Sequence, residues 1–395
     1  MSLTFDFARI PYVHFGAGRF ADIGKFAARL GKVVLLVTGV SSFKKSGRYE
    51  VLVKDLNANG VRCFNYTISG EPSPEIIDSA VRDLKDNGIE VVVAVGGGSV
   101  IDAGKAISAM LKVEGPVFNY LEGIGGALSH SGVKVPFIAV PTTSGTGSEA
   151  TKNAVISRVA KEGGFKRSLR HDNFVPDVAI IDPQLTVDCP AAITAACGMD
   201  AFTQLIESYV STKASPMTDA LSLKAIELLV ESLVPSCTSE AGNVEVRAKM
   251  AYASFISGVT LANAGLGVVH GFASTVGGEF DIPHGVLCGT LVSAATRKII
   301  ECLKCSGNDT YLEKYANVGA VFIKKHLDNL GSRDYLLDVL IDRLEEWTQV
   351  LKLPRLSEYG ISNVDVDRLS EKTGNKESPA KLTKDALKEI LVARL

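Results

Sequence analysis

The stretch Val91–Lys105, VVVAVGGGSVIDAGK, constrains this chain more than any other. Val91–Val95 is an apolar, mostly β-branched run with no alternation. A strand shows that pattern when both of its faces are buried, as in a parallel sheet sandwiched between helices. Gly96, Gly97, Gly98 and Ser99 follow, and then a helical run with small residues at Ala103, Gly104, Ala106 and Ala109. A strand that passes through glycines into a helix makes a phosphate cradle. Glycine lets the backbone approach an anion, and the free N–H groups and dipole of the helix start attract it. A tight βα turn is the plainer reading; three glycines in succession with a serine at the helix start favour the cradle.

The same alternation of strand and helix runs through the first half of the chain. Pro11–Phe15, Lys32–Val37, Val61–Ile68, Val135–Val140 and Val178–Ile181 read as further strands, and Phe20–Leu30, Tyr49–Ala58 and Pro74–Asp86 as helices, the last with Ser73 as its N-cap. Gly16–Ala21 matches a dinucleotide glycine pattern, but no long buried strand precedes it, so it reads as a turn. The strand Lys32–Val37 ends at Gly39, with Ser41, Ser42, Lys44 and Lys45 beyond it. An acidic residue at such a strand end accepts from a ribose 2′-hydroxyl and repels a 2′-phosphate. Its absence, and the nearby hydroxyls and lysines, favour NADP over NAD, although NAD is not excluded. The loop Pro141–Glu149, PTTSGTGSE, sets hydroxyls and glycines at the carboxyl end of a strand, where open α/β sheets bind ligands.

From Ile193 onward the pattern is helical with hardly any strand, so the expected division falls near Pro183–Pro190: residues 1–185 an α/β nucleotide-binding domain, residues 186–395 an all-helical domain. The formal net charge of −2 gives no reason to expect nucleic acid or an acidic membrane as partner. No apolar run approaches the roughly 20 residues of a bilayer helix, and no signal peptide is evident. Seven scattered cysteines fit a reducing compartment, hence a cytoplasmic protein, and Cys302 and Cys305 form a CxxC in helical surroundings.

Six histidines exist, and His270 and His284 sit beside glycines in the helical half; His14, His130, His171 and His326 read as surface or core residues. Asp200 and Gln204 are four apart on one helix, so they share a face. A carboxylate and two imidazoles make a divalent-metal site with open positions. A buried histidine is more often a satisfied core residue, and spacing alone leaves both readings open.

Taken together, FGAG at Phe15–Gly18, GGGSVID at Gly96–Asp102, PTTSGTGSE at Pro141–Glu149, IIDP at Ile180–Pro183, GMDA at Gly198–Ala201, GLGVVHG at Gly265–Gly271 and IPHG at Ile282–Gly285 give the chain a resemblance to the iron-containing (group III) alcohol dehydrogenases. That family shares its architecture with glycerol dehydrogenase and dehydroquinate synthase. The resemblance implies an α/β dinucleotide-binding domain, an all-α C-terminal domain, and a metal and nicotinamide meeting in the cleft between them. It implies that Gly97, Gly98 and Ser99 hold the pyrophosphate, that Asp102, Thr142, Thr143, Asn153 and Lys166 line the cofactor, and that Asp200, His270 and His284 are catalytic metal ligands. Gly39 and Ser41 complete the expected cofactor set. The chain departs from the family at Gln204, where a histidine ligand is usual, and at Ser274, where another histidine is common. The expected metal is therefore iron or zinc, with Gln204 as a weaker amide ligand.

The expected reaction moves a hydride between the nicotinamide and a small primary alcohol or aldehyde whose oxygen lies on the metal. A homodimer or larger homo-oligomer is expected. Two other readings remain: a dehydroquinate-synthase-like lyase or metal-free reductase on the same fold, and a non-catalytic nucleotide-binding relative. The lyase requires a cluster of Lys and Arg in the cleft, and the helical-half motifs are instead apolar and small.

Overall fold

The computed structural model describes residues 4–124, 128–161, 163–323 and 331–395, so His326 lies outside the described residues. The first half contains strands β1 (Tyr12–Phe15), β2 (Val33–Gly39), β3 (Arg62–Ile68), β4 (Val91–Gly96), β5 (Phe137–Pro141), β6 (Asn153–Arg158), β7 (Phe165–Arg170) and β8 (Val178–Ile181). Its helices are α1 (Ile23–Leu30), α2 (Ser42–Lys45), α3 (Arg48–Ala58), α4 (Pro74–Leu84) and α5 (Gly98–Met110). Six strands form one parallel sheet in the order β1-β8-β5-β4-β2-β3. Successive residues of its central strands feed different cores. Leu35, Val37, Val92 and Ala94 pack with Ile101, Ile107 and Phe137 on one face. Val34, Leu36, Val91, Val93 and Val95 pack with Ile23, Leu52 and Leu56 on the other. The valine run lacks alternation because neither face meets water.

The strand order places the crevice. The crossover from β2 leads outward to β3, and the crossover from β4 leads the opposite way to β5. The chain therefore reverses direction between β2 and β4, and ligands of open α/β sheets bind beyond the strand ends at such a point. Gly39 ends β2 there, and Gly97 caps the start of α5 after β4. The Gly16–Ala21 pattern is a turn at an edge strand: Gly16 N–H donates to the Ile181 carbonyl at 3.0 Å, and Phe20 N–H to the Asp182 carboxylate at 2.9 Å. Ser73 caps α4 by accepting from Ile76 N–H.

The sequence pattern declares no strand between Glu149 and Val178. The structure has the antiparallel hairpin β6–β7 there. Ala154, Ile156, Phe165 and Leu169 of the hairpin are buried in the core shared with α5. Asn153, Val155, Lys166, Ser168 and Arg170 alternate with them and line the cleft.

The second half is helical: α6 (Ala191–Tyr209), α7 (Pro216–Cys237), α8 (Val244–Ala264), α9 (Val268–Glu279), α10 (His284–Ser306), α11 (Asp309–Ile323), α12 (Arg333–Val350), α13 (Asn363–Lys372) and α14 (Lys384–Val392). Its core is continuous with Ala179 and Ile181 of β8. Two glycines set how closely elements approach. A Cβ on Gly258 of α8 would lie 2.1 Å from the Gly147 carbonyl oxygen of the hydroxyl-rich loop, and a Cβ on Gly285 would lie 2.4 Å from the Ala196 carbonyl oxygen of α6. The second contact seats the start of α10 one turn before Asp200. Cys302 and Cys305 lie within α10, and all seven cysteines are free. Among the described residues, no single helix is long and apolar enough to cross a membrane.

Candidate active site and metal centre

Helices α6, α9 and α10 bring Asp200, His270 and His284 together. Asp200 Oδ1 lies 3.4 Å from His270 Nε2 and 3.5 Å from His284 Nε2. That oxygen is buried and accepts no hydrogen bond. A buried polar atom without a partner carries a desolvation penalty unless something else satisfies it. A fourth donor completes the group. Cys288, one turn after His284, holds its Sγ 3.7 Å from His270 Nε2 and 3.8 Å from His284 Nε2. The four donor atoms all lie within 4.8 Å of one another. A tetrahedral ion with bonds of about 2.1 Å to nitrogen and oxygen and about 2.3 Å to sulfur spans edges of about 3.4 to 3.6 Å. The residues present therefore fit a divalent metal.

Glu207, two turns beyond Asp200 on α6, organises one ligand. Its Oε2 lies 2.7 Å from His270 Nδ1, and its Oε1 accepts from Val269 N–H at 2.7 Å. A carboxylate behind a histidine fixes the tautomer and leaves Nε2 free to ligate. Burial pushes the His270 pKa down, but Cys288, Asp200 and Glu207 together hold it well above the ordinary value. His284 goes the other way: burial lowers its pKa, and nearby Lys166 and His270 add to the effect. A neutral imidazole is the ligand form. Asp200 stays low despite its burial, because His284, His270 and a hydrogen bond from Gln204 favour its carboxylate. Gln204 Oε1 accepts from Ser257 Oγ at 2.8 Å.

A cavity of 570 Å³ joins this cluster to the nucleotide side. Gly97, Gly98, Ser99, Asp102, Thr143, Asn153 and Lys166 line it together with Asp200, Gln204, His270 and His284. Gly39, Ser41 and Thr142 lie along the same sheet edge but outside that lining; Thr142 N–H donates to the Gly96 carbonyl at 2.9 Å and ties β5 to the cradle. A Cβ on Gly98 would lie 2.6 Å from the Thr146 methyl, so the cradle and the hydroxyl-rich loop are in close contact. Ser99 Oγ donates to Glu71, which also takes Lys166 Nζ at 3.0 Å. Asp102 accepts from Val155 N–H, while its other oxygen is buried without a hydrogen bond, 3.9 Å from the Lys105 ammonium. Sequence reasoning missed the buried Lys105, which donates to the Ser148, Thr151 and Asn153 carbonyls and to the Thr151 hydroxyl, all within 3.0 Å. It shapes the end of the hydroxyl-rich loop. It also missed Glu207 and Cys288. The signal for both was helical spacing: Glu207 is seven residues after Asp200, and Cys288 four after His284.

The expectation that the cleft lacks a cluster of Lys and Arg needs correcting. Lys152, Lys166, Arg167, Arg170, Lys213 and Lys376 line its mouth. Most of them come from the hairpin and loops rather than from the helical motifs on which that expectation rested.

Comparison with known proteins follows the same lines. Residues 11–183 match the iron-containing alcohol dehydrogenase family, and residues 194–395 match the Fe-containing alcohol dehydrogenase family, C-terminal. The chain is 31% identical over 377 residues to alcohol dehydrogenase 4 of Saccharomyces cerevisiae, covering 94% of this chain and 92% of that protein. It is 31% identical over 391 residues to the NADPH-dependent butanol dehydrogenase of Clostridium saccharobutylicum, covering 96% and 95%. Among solved structures, the alcohol dehydrogenase from Oenococcus oeni superposes with a TM-score of 0.87 at 30% identity, covering 99% of this chain and all of that one. The chain belongs to the iron-containing alcohol dehydrogenase family. It is an NAD(P)-dependent alcohol dehydrogenase of the metal-dependent type, and the lyase and non-catalytic readings give way to that assignment.

Proposed function

We propose that the chain reduces small aldehydes with NADPH, at a metal held by Asp200, His270, His284 and Cys288. The observation that carries this reading is the convergence of those four donors around a buried carboxylate oxygen that lacks a hydrogen bond. When bound, the metal supplies a Lewis acid for the substrate oxygen, and the nicotinamide supplies or accepts the hydride. The chain's own groups do the positioning. Glu207 holds the His270 ring in one tautomer, and Gln204 acts as a hydrogen-bond donor to Asp200 rather than as a ligand. Gly97, Gly98 and Ser99 receive the pyrophosphate at the start of α5, and Asp102, Thr143, Asn153 and Lys166 orient the nicotinamide end. The Gly39 backbone with Ser41 admits a 2′-phosphate, with Thr142 securing the adjoining strand. Apolar residues of α6 and α9 keep water from the reacting carbon.

Division at residues 1–185 and 186–395 fits a last strand that ends at Ile181 and a first long helix that begins at Ala191. A cytoplasmic location is supported by the free cysteines, and a small-molecule substrate rather than nucleic acid or an acidic membrane by the net charge of −2; a homodimer follows only from the prevalence of closed two-fold assemblies.

The test combines elemental analysis with NADPH oxidation by a panel of small aldehydes, before and after chelation and metal add-back. A stoichiometric metal whose removal abolishes turnover is the expected result. Full turnover by metal-free protein overturns the metal assignment.

A further inference from the structure

The basic mouth of the cleft carries more cations than the fold consumes. Four of the six are matched: Lys152 by Asp172 at 2.7 Å, Lys166 by Glu71 at 3.0 Å, Arg170 by Glu122 at 3.4 Å and Lys213 by Glu377 at 2.8 Å. Among the described residues, Arg167 and Lys376 make no ion pair. The Lys376 ammonium donates to Ser274 Oγ at 3.2 Å. Ser274 is one helical turn from His270 on α9, a rise of about 6 Å along the axis. Burial lowers the Lys376 pKa; Glu207 of the cluster opposes that, and Arg170 and Arg167 of the hairpin add to it.

The backbone singles out the same residue. Lys376 has φ 46°, one of two non-glycine residues in the left-handed region among those described. Lysine gains nothing there, whereas glycine and asparagine do. The conformation is held from both sides. Asn375 exchanges hydrogen bonds with Leu382 at 2.9 and 3.1 Å, and Glu377 N–H donates to the Leu266 carbonyl at 3.0 Å. A sparsely populated conformation that is clamped in this way points to the direction of its side chain. The phosphate cradle does not account for the charge either: Gly97, Gly98 and Ser99 line the inner cavity with Lys376 but not the 710 Å³ groove at its mouth.

Resting on the reading of this cleft as the reductase site, we propose that the substrate is a short aldehyde bearing an anionic group. A carboxylate, sulfonate or phosphonate at its far end is held by Lys376 and Arg170. An ammonium matched only by a hydroxyl gains a charge-assisted hydrogen bond from such an anion, and Arg170, which faces Glu122 through Nε, has further guanidinium N–H groups to offer its oxygens. The reaction is otherwise unchanged. NADPH gives a hydride to the carbonyl carbon and is oxidised, a proton from solvent reaches the carbonyl oxygen, and the anionic group passes through intact.

Succinic semialdehyde against butanal tests this on the metal-loaded protein, because the two share a chain length and differ in the carboxylate. Sulfonated and phosphonated aldehydes in the same panel identify the preferred anion. The expected kcat/KM ratio favours an anionic aldehyde by at least about thirtyfold. Lys376→Asn removes the charge and suits the left-handed backbone, so the fold is not put at risk; it is expected to bring that ratio close to one, mainly through KM. Equal or better use of butanal, or a ratio that survives Lys376→Asn, overturns the proposal while leaving the reductase reading intact. If no aldehyde turns over, calorimetry with succinate decides: binding that Lys376→Asn abolishes sustains the anion site without the reductase reading, and no binding overturns both.

Discussion

Cys288 changes what the donor set prefers. A site built from one carboxylate, two imidazoles and one thiolate is softer than one with a third imidazole, and thiolate selects zinc over magnesium, calcium or manganese. In protein loaded with cobalt(II), a thiolate ligand gives a near-ultraviolet sulfur-to-metal charge-transfer band. That band is expected in the parent and absent in Cys288→Ser, with metal affinity reduced about 10- to 100-fold. A band of undiminished intensity in Cys288→Ser would remove the cysteine from the ligand set. A second buried group yields a stability prediction. Burial raises the Glu149 pKa from its ordinary 4.5 to about 7. The folded state thus binds its proton more tightly, so stability from this group is present below about 4.5 and is lost as pH rises through about 7. Glu149→Gln keeps the shape of the protonated acid and removes that slope. Its melting temperature is expected to gain on the parent between pH 5 and pH 8, by a free energy of up to about 3 kcal/mol. A parallel pair of pH profiles would contradict it.

Elements hold these residues in register by close approach. Gly285 lets α10 settle on the Ala196 carbonyl, and His284 beside it then faces Asp200. Gly285→Ala forces backbone apart where no flexible side chain can yield. The expected loss is about 1 to 3 kcal/mol of stability, together with weaker metal retention on dialysis; full retention would show that the seating does not position His284. The central sheet and the long helices were legible because each has one dominant periodicity. The valine run declared two buried faces, and Ser73-Pro74 declared a helix start. The hairpin β6–β7 was not. Its alternation of Ala154 and Ile156, and of Phe165 and Leu169, is present, but lysines, arginines and serines separate the apolar residues. Only the docked α5 shows that they are core. The donor cluster was legible in part. Asp200, His270 and His284 stood in glycine-marked motifs, whereas Cys288 sits in an ordinary apolar helix, VLCGTL, where a cysteine looks like core. The charge of Lys376 had no sequence signal, because its partners come from α9 and the hairpin, far away along the chain.

At the scale of the molecule, the proposed cofactor site runs from the carboxyl end of β2 to the helical half, so the two ends of the cofactor would be recognised by different parts of the chain. That separation makes coenzyme choice independent of the metal site. Gly39 lies at the switch between β2 and β4, and a Cβ there would meet only the Val100 methyl, at 3.7 Å. The strand end therefore accepts a side chain without rearrangement. Gly39→Asp would set a carboxylate where a 2′-phosphate is expected and where a 2′-hydroxyl gains an acceptor. Like charges at that range cost several kcal/mol, so the ratio of kcat/KM for NADPH over NADH is expected to fall about a hundredfold. The metal content and the preference among aldehydes should stay as they were, because those belong to α6, α9, α10, the hairpin and the Lys376 loop between α13 and α14. Steady-state kinetics with both coenzymes, run beside elemental analysis, reads the two ends separately. An unchanged coenzyme ratio would place the 2′-phosphate elsewhere along the sheet edge, and a loss of metal would show that the two halves of the molecule are coupled more tightly than their separate elements suggest.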